Sequence, residues 1–265
     1  MVQYFDEIPS FLVEWIKLQR VFWVATAPLS TDGHVNLSGK GNDGTFNVVD
    51  NRKVWYEDLT GSGCETISHV KENGRITIYF NAFEGPPRIA RLFGKGTVYE
   101  FGTPEYNALN PPEKRSPGSR SIIVIDVHKV ATSCGYAIPF FDFKAYRPKY
   151  NQAAINFEDP DIAAQEKDAS GKSENGLKAY WMKHSLKSID GLPGMDLLPQ
   201  TMNAPIVLTG KGISVREALK MAKYKVQAGQ QRILRPTLVP NIQLLIGFVL
   251  GLLAVVIWGH MIHPW

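Results

Sequence analysis

Cysteine is scarce. Cys64 and Cys134 are the two in a chain of 265 residues, and neither sits in a metal-ligand spacing. A disulfide scaffold is excluded, and no metal site is expected. A secretory leader is also missing. Asp6 and Glu7 lie within the first ten residues with no apolar run beside them, so no early targeting signal is expected. No internal repeat is visible. Charged side chains make up 20% of the residues and hydrophobic ones 44%. That mix buries enough apolar surface to offset ordering entropy and excludes a disordered chain.

Formal charge of either sign vanishes after Arg235. Upstream, residues 211–235 hold seven basic side chains against the single acid Glu217, which is more positive charge than the net +4 of the whole chain. The remainder is therefore slightly acidic, and no nucleic-acid partner is expected. Residues 242–258 read IQLLIGFVLGLLAVVIW, with Gln243 the one polar member. As a helix they span roughly 26 Å, just short of the ~30 Å hydrocarbon core. Leu238 and Val239 extend the run, and Trp258 and Trp265 suit an aromatic belt. The reading is a tail anchor over 238–258, inserted after translation; the alternative is a buried core helix. The basic flank puts the main domain on the cytosolic side. A short span favours the thin endoplasmic reticulum bilayer, with the mitochondrial outer membrane the other candidate. Between domain and anchor, 199–237 reads as linker and basic amphipathic helix. Ser214 to Glu217 forms a capping box, and Val215, Ala218, Leu219, Ala222 and Val226 recur at helical spacing. That helix either lies on an anionic membrane or is a solvated charged helix.

Residues 1–198 read as one mainly β domain. Ser10 is expected to cap a short helix. Six or seven strands follow within 20–134: RVFWVATAPLS, GHVNLSG, TFNVVD, KVWYEDL, GRITIYFNAF, RIARLFGKGTVYE and SIIVIDVHKVATSC. One helix falls between Cys64 and Asn73, and Pro104 after Thr103 marks another. Such spacing favours an antiparallel barrel or sandwich over a doubly wound fold. Residues 144–180 read as a polar helix with loops, one at Asp159-Pro160. Residues 188–199 read as a turn-rich return to the core, and 199–213 as linker.

Three segments are candidates for chemistry. Thr60, Gly61, Ser62 and Gly63 follow a strand and open a helix, where free amides and the helix dipole favour an anion. The segment is neither a Walker loop nor a dinucleotide fingerprint, and a plain turn is the other reading. Arg88 and Arg91 sit three apart on one strand and so point to opposite faces. Ser38 and Lys40 share a strand face, where Lys40 can neutralise a phosphate. Cys134 has no cationic neighbour and reads as a small hydrophobe rather than a reactive thiol. His34, His69 and His128 read as structural or exposed, with His69 the one suggestive axial ligand for a heme.

These segments, in this order, resemble the pyridoxamine 5′-phosphate oxidase-like family of FMN-binding split barrels. The shared blocks are Leu59 to Gly96, Thr132 to Phe143 and Ser188 to Gly194, and the likeness covers roughly residues 8–195. The resemblance implies a six-stranded antiparallel split β-barrel with flanking helices, a homodimer, and FMN sites at the subunit interface. It places Ser38, Lys40, Thr60, Gly61, Ser62, Gly63, Arg88 and Arg91 near the cofactor. The loop carries no Arg or Lys between Lys53 and Lys71, so Lys40, Arg75 or Arg91 is expected to supply the cation. The implied activity is a flavin-dependent oxidoreductase of unknown small-molecule substrate. The alternative is a module binding flavin, heme or another small ligand without turnover.

Overall fold

The computed structural model describes residues 1–167, 173–207 and 213–220. The anchor expected over 238–258 lies outside them. Among the described residues, no helix is long and apolar enough to cross a membrane. The chain divides into two compact units, Met1–Leu219 and Lys220–Trp265. The first contains the sheet and the helices that flank it.

Seven strands occupy the stretch expected to hold six or seven: β2 Phe22–Thr26, β3 Asn36–Lys40, β4 Phe46–Val48, β5 Lys53–Leu59, β6 Arg75–Asn81, β7 Ile89–Glu100 and β8 Ser119–Ser133. An eighth, β1 Gln3–Phe5, precedes them. The sheet thus has eight strands rather than six. β1 is three residues long, too short to show alternation in sequence. β1 is recruited by Val130 to Thr132 of β8.

Every pairing is antiparallel, in the order β3-β2-β6-β7-β8-β5-β4. The sheet curls. Phe22 on β2 meets Phe46 on β4 at 5.0 Å and Tyr56 on β5 at 5.5 Å between ring centroids, although those strands are distant in the ladder. Phe46 also meets Phe80 of β6 at 5.1 Å. The end strands β3 and β4 are not hydrogen-bonded to each other, so the barrel stays split. Its interior follows the period of two: Phe22 and Val24, Ile76, Ile78 and Phe80, and Ala90 and Leu92 are all buried. Each large apolar chain so buried contributes ~1.5–3 kcal/mol. Curvature concentrates where the β7–β8 register shifts between Phe93 and Gly94. A Cβ on Gly94 would lie 2.3 Å from Ile125 Cγ2, so only glycine lets β8 cross there.

Helices flank the sheet. α1 is Ser10–Lys17, with Pro9 at the cap position. Ser10 is the first helical residue and makes no capping bond, which corrects the cap expected for it. α2, Glu65–Asn73, lies where the sequence placed it, burying Ile67, His69 and Val70. α3, Pro104–Leu109, starts as read: the Thr103 hydroxyl accepts the Tyr106 N–H.

α4, Lys149–Lys167, runs straight through Pro160, where a loop was expected. Proline lacks the N–H for the carbonyl four residues back. Tertiary bonds on either side outweigh that loss: Glu158 accepts the Gly118 N–H at 2.8 Å and Asp161 the Lys178 N–H at 3.0 Å. α5 is Leu177–His184 and α6 Leu198–Thr201. The 188–199 segment does return to the core, with Met195 and Leu198 fully buried. Residues 199–207 also pack on the domain: Ile206 is buried, and its N–H donates to Gln165 Oε1 at 2.9 Å. Residues 213–220 are helical, and Arg216 donates to Asp159 of α4 at 2.5 Å.

Candidate functional site

A cavity of about 1100 Å³ opens beside β3. Lys40 and Gly41, Glu57 and Thr60, the end of α1, the β6–β7 loop and residues 141–150 line it. The 141–147 stretch has no regular structure and crosses it as a strap. It is held by main-chain bonds from Phe141 N–H to Phe83 O, 3.1 Å, and from Phe143 N–H to the Glu84 carboxylate, 2.9 Å. Arg20 stacks over Phe143 at 5.1 Å, and Tyr146 donates to Asp43.

Beneath lies a buried charge network. Asp58 on β5 takes Arg120 Nε at 2.8 Å and Lys40 Nζ at 3.2 Å. Arg120 reaches on to Ser185 Oγ at 3.2 Å. Burial alone would raise the Asp58 carboxyl, yet Arg120 and Lys40 together hold it below the usual range. The neighbouring Glu57 carboxylate accepts from Asn110 Nδ2 and from both the N–H and the hydroxyl of Ser116.

The residues expected near the cofactor part company. Lys40, Thr60 and Gly61 line the cavity. Ser38, on the same β3 face as Lys40, has a buried hydroxyl with no hydrogen-bond partner. Thr60 has no donor to spare: its hydroxyl donates to Gly118 O at 2.6 Å and accepts Trp181 Nε1–H at 2.7 Å, and its N–H bonds Gly118 O as well.

Ser62 is exposed. The helix start at Gly63 is filled by the chain itself: a Cβ there would lie 2.3 Å from Glu65 Oε2. Glu65 Oε1 in turn accepts the Ile189 N–H at 3.3 Å. The anion seat read from the TGSG segment thus holds a resident carboxylate.

Arg88 stacks on Phe11 and Trp15 of α1, while Arg91 stacks on Tyr79 of the adjacent strand; neither lines the cavity. Arg75 donates to Asn73 and Pro28 O, away from β3.

His69 is fully buried, its Nδ1 against Thr26 Oγ1 at 3.1 Å, and presents no open face to a porphyrin. His34 pairs with Asp190 at 2.6 Å. Cys134 is exposed and Cys64 buried. Among the described residues no cluster of three or more His, Cys, Asp or Glu could hold a metal.

Sequence reasoning missed Arg20, Glu57, Arg147 and Tyr150. One signal was available: a run of aromatics, Phe140, Phe141 and Phe143, in a segment without strand or helix pattern, which the structure leaves exposed.

No protein-family model matches the chain. Over 196 residues, 72% of this chain and 77% of the relative, it is 37% identical to the pyridoxamine 5′-phosphate oxidase family protein ustO of Aspergillus flavus. Among solved structures it is similar to a HupZ variant of group A Streptococcus, with 21% identity, TM-score 0.40 and coverage of 48% of this chain and 99% of that one. A Clostridium acetobutylicum protein described as of the pyridoxinephosphate oxidase family shows 15% identity, TM-score 0.32 and coverage of 46% and 84%. An FAD-binding protein of Mesorhizobium loti shows 12%, 0.34, and 50% and 96%. The family assignment rests on the Aspergillus relative and not on these distant folds. With an antiparallel split barrel carrying that identity over most of both sequences, the chain belongs to the pyridoxamine 5′-phosphate oxidase family.

Proposed function

We propose that this protein is a membrane-anchored flavoprotein that binds FMN beside β3 and works as a flavin-dependent oxidoreductase. The observation that carries this reading is the inward face of β3. Ser38 holds a buried hydroxyl without a partner, and two residues on, Lys40 spends one contact on Asp58 and keeps the other donors of its ammonium. A phosphate at Lys40 would meet the ammonium donors that Asp58 leaves over, with the unpartnered Ser38 hydroxyl two residues along the same strand face. The helix start does not fit a phosphate, because Glu65 occupies it. Bound FMN would supply the electron chemistry; the chain would position it and exclude water with the aromatic strap.

Lys40→Ala is expected to weaken FMN about 10- to 100-fold, the loss of a charge-assisted bond worth ~1.5–3 kcal/mol. Riboflavin, which has no phosphate, should bind wild type and variant alike. Flavin fluorescence titration reads both, and equal FMN affinities would sink the reading. Light scattering on the same full-length sample tests the homodimer, for which Leu37 on β3, exposed on the outer face, is a fitting contact. A second reading is a binder without turnover. Flavin reduction by NADPH separates the two.

Support for the anchor is the charge-free run after Arg235 behind a basic flank, with the domain facing the cytosol and the endoplasmic reticulum the favoured membrane. A central arginine costs ~2.5–3.5 kcal/mol on insertion scales. Leu250→Arg is therefore expected to move the protein into the soluble fraction on carbonate extraction. A wild type already soluble would refute the anchor.

A further inference from the structure

The helix at 213–220 has one apolar stripe, and the domain takes it. Val215, Arg216 and Leu219 are half-buried, while Ile213, Ser214, Glu217, Ala218 and Lys220 are exposed. Val215 and Leu219 lie four apart and so share a helix face. On a membrane surface that same face would enter the headgroup boundary. It cannot occupy both places at once.

The hold of α4 on this helix is partial. Arg216 Nη1 donates to Asp159 Oδ1 at 2.5 Å, and Nη2 stands 3.9 Å from Glu158 Oε2. Nε and Nη2 are shielded from solvent and have no hydrogen-bond partner. A guanidinium pairs best with a carboxylate or phosphate through two parallel bonds, and here it is bonded through one nitrogen.

α4 loses little when Arg216 leaves. Glu158 is already answered by Arg115 Nη2 and by the Gly118 N–H, both at 2.8 Å. Asp159, with its side chain 54% exposed, returns to water. Ion pairs this open to solvent contribute little.

The charge around the helix favours an anionic surface as its other seat. Lys211 precedes it, Lys223 and Lys225 follow, and Glu217 is the one acid in residues 211–235. Basic clusters of this kind are drawn to anionic headgroups, each cation near the surface adding to the attraction. A lipid phosphate supplies the second acceptor that Arg216 lacks on α4, and the bilayer takes Val215 and Leu219. A soluble polyanion would meet the cations and leave the apolar stripe unused.

We propose that residues 213–220 are a latch with two seats, α4 and an anionic bilayer, and that anionic lipid withdraws it from α4. The anchor reading is needed only to bring a bilayer near.

The test uses the full-length protein with Cys134→Ser, which removes the exposed thiol and leaves Cys64 buried. A bimane label is placed on Ala218→Cys. The protein is mixed with vesicles holding doxyl-labelled phosphatidylcholine while phosphatidylserine replaces phosphatidylcholine stepwise. Quenching should be absent on neutral vesicles and grow with phosphatidylserine. Asp159→Asn weakens the competing seat, so it should raise the ratio of bilayer-bound to docked helix about two- to fivefold at intermediate compositions, the worth of one half-exposed ion pair. Equal quenching on neutral and anionic vesicles, or an Asp159→Asn variant that responds as the parent does, would overturn the latch. Flotation on neutral vesicles reads the anchor separately. A protein that floats there but is quenched at no composition keeps the anchor and rejects the latch. One that fails to float there but is quenched on anionic vesicles keeps the latch and rejects the anchor.

Discussion

Asp58→Ala is expected to destabilise the protein by about 3–5 kcal/mol, because it strands a buried guanidinium. Asp58 and Arg120 are almost wholly enclosed, their side chains 1% and 4% exposed. Among the described residues, Arg120 has only Ser185 Oγ as a further side-chain hydrogen-bond partner. Against a typical total of about 5–15 kcal/mol, the loss is large enough to read as a shift of the urea midpoint at unchanged slope. The pair itself need not be strongly stabilising, since desolvation offsets much of the attraction. A second change that removes the stranded charge, Arg120→Met, should therefore recover part of the loss. If the double variant is as unstable as the sum of the singles, the coupling is wrong.

The pH dependence has a definite sign. Asp58 is held below its unfolded value by Arg120 and Lys40. Its contribution is complete above the unfolded carboxyl pKa of about 3.9, and it is lost as pH falls through the lower folded value. Asp58→Asn should flatten the stability profile across that acid window and leave the slope near neutrality unchanged.

Trp181→Ala is expected to cost about 3–5 kcal/mol, the range for a fully buried aromatic. Trp181 on α5 is 0% exposed and packs on Phe101 at 5.4 Å. Its indole N–H is the bond that ties α5 to Thr60 at the cavity edge. Volume and hydrogen bond can be separated. Trp181→Phe keeps much of the packing and loses the bond, so it should cost clearly less than the alanine. Both variants should raise hydrogen exchange at the amides of residues 60–63, because the Trp181 anchor on that turn is gone. An alanine variant with wild-type stability would mean that α5 is dispensable to the barrel.

How far the fold could be read differs from element to element. The alternation of Ile76, Ile78 and Phe80, or of Phe22 and Val24, announces strands buried on one face, because side-chain period alone decides it. The Thr103-Pro104 pair is likewise a local event, settled within one turn of helix. Pro160 was misleading for a non-local reason. Its cost is local, but the bonds that outweigh it come from Gly118 and Lys178, distant in sequence. The cofactor residues divide the same way. Ser38 and Lys40 could be placed on one face from their spacing. That Glu65 fills the helix start depends on the Ile189 amide, 124 residues away.

The amino-acid sequence by itself determined the strand-rich domain, the positions of its early helices and the uncharged, apolar run near the C-terminus. Each is written in periodicity or composition that neighbouring residues share. Tertiary structure alone decided which charges meet. Asp58 and Arg120 are 62 residues apart, and Thr60 and Trp181 121 apart. Those pairings arise from strand register and helix docking, which depend on the summed packing of the whole barrel and leave no mark at either residue.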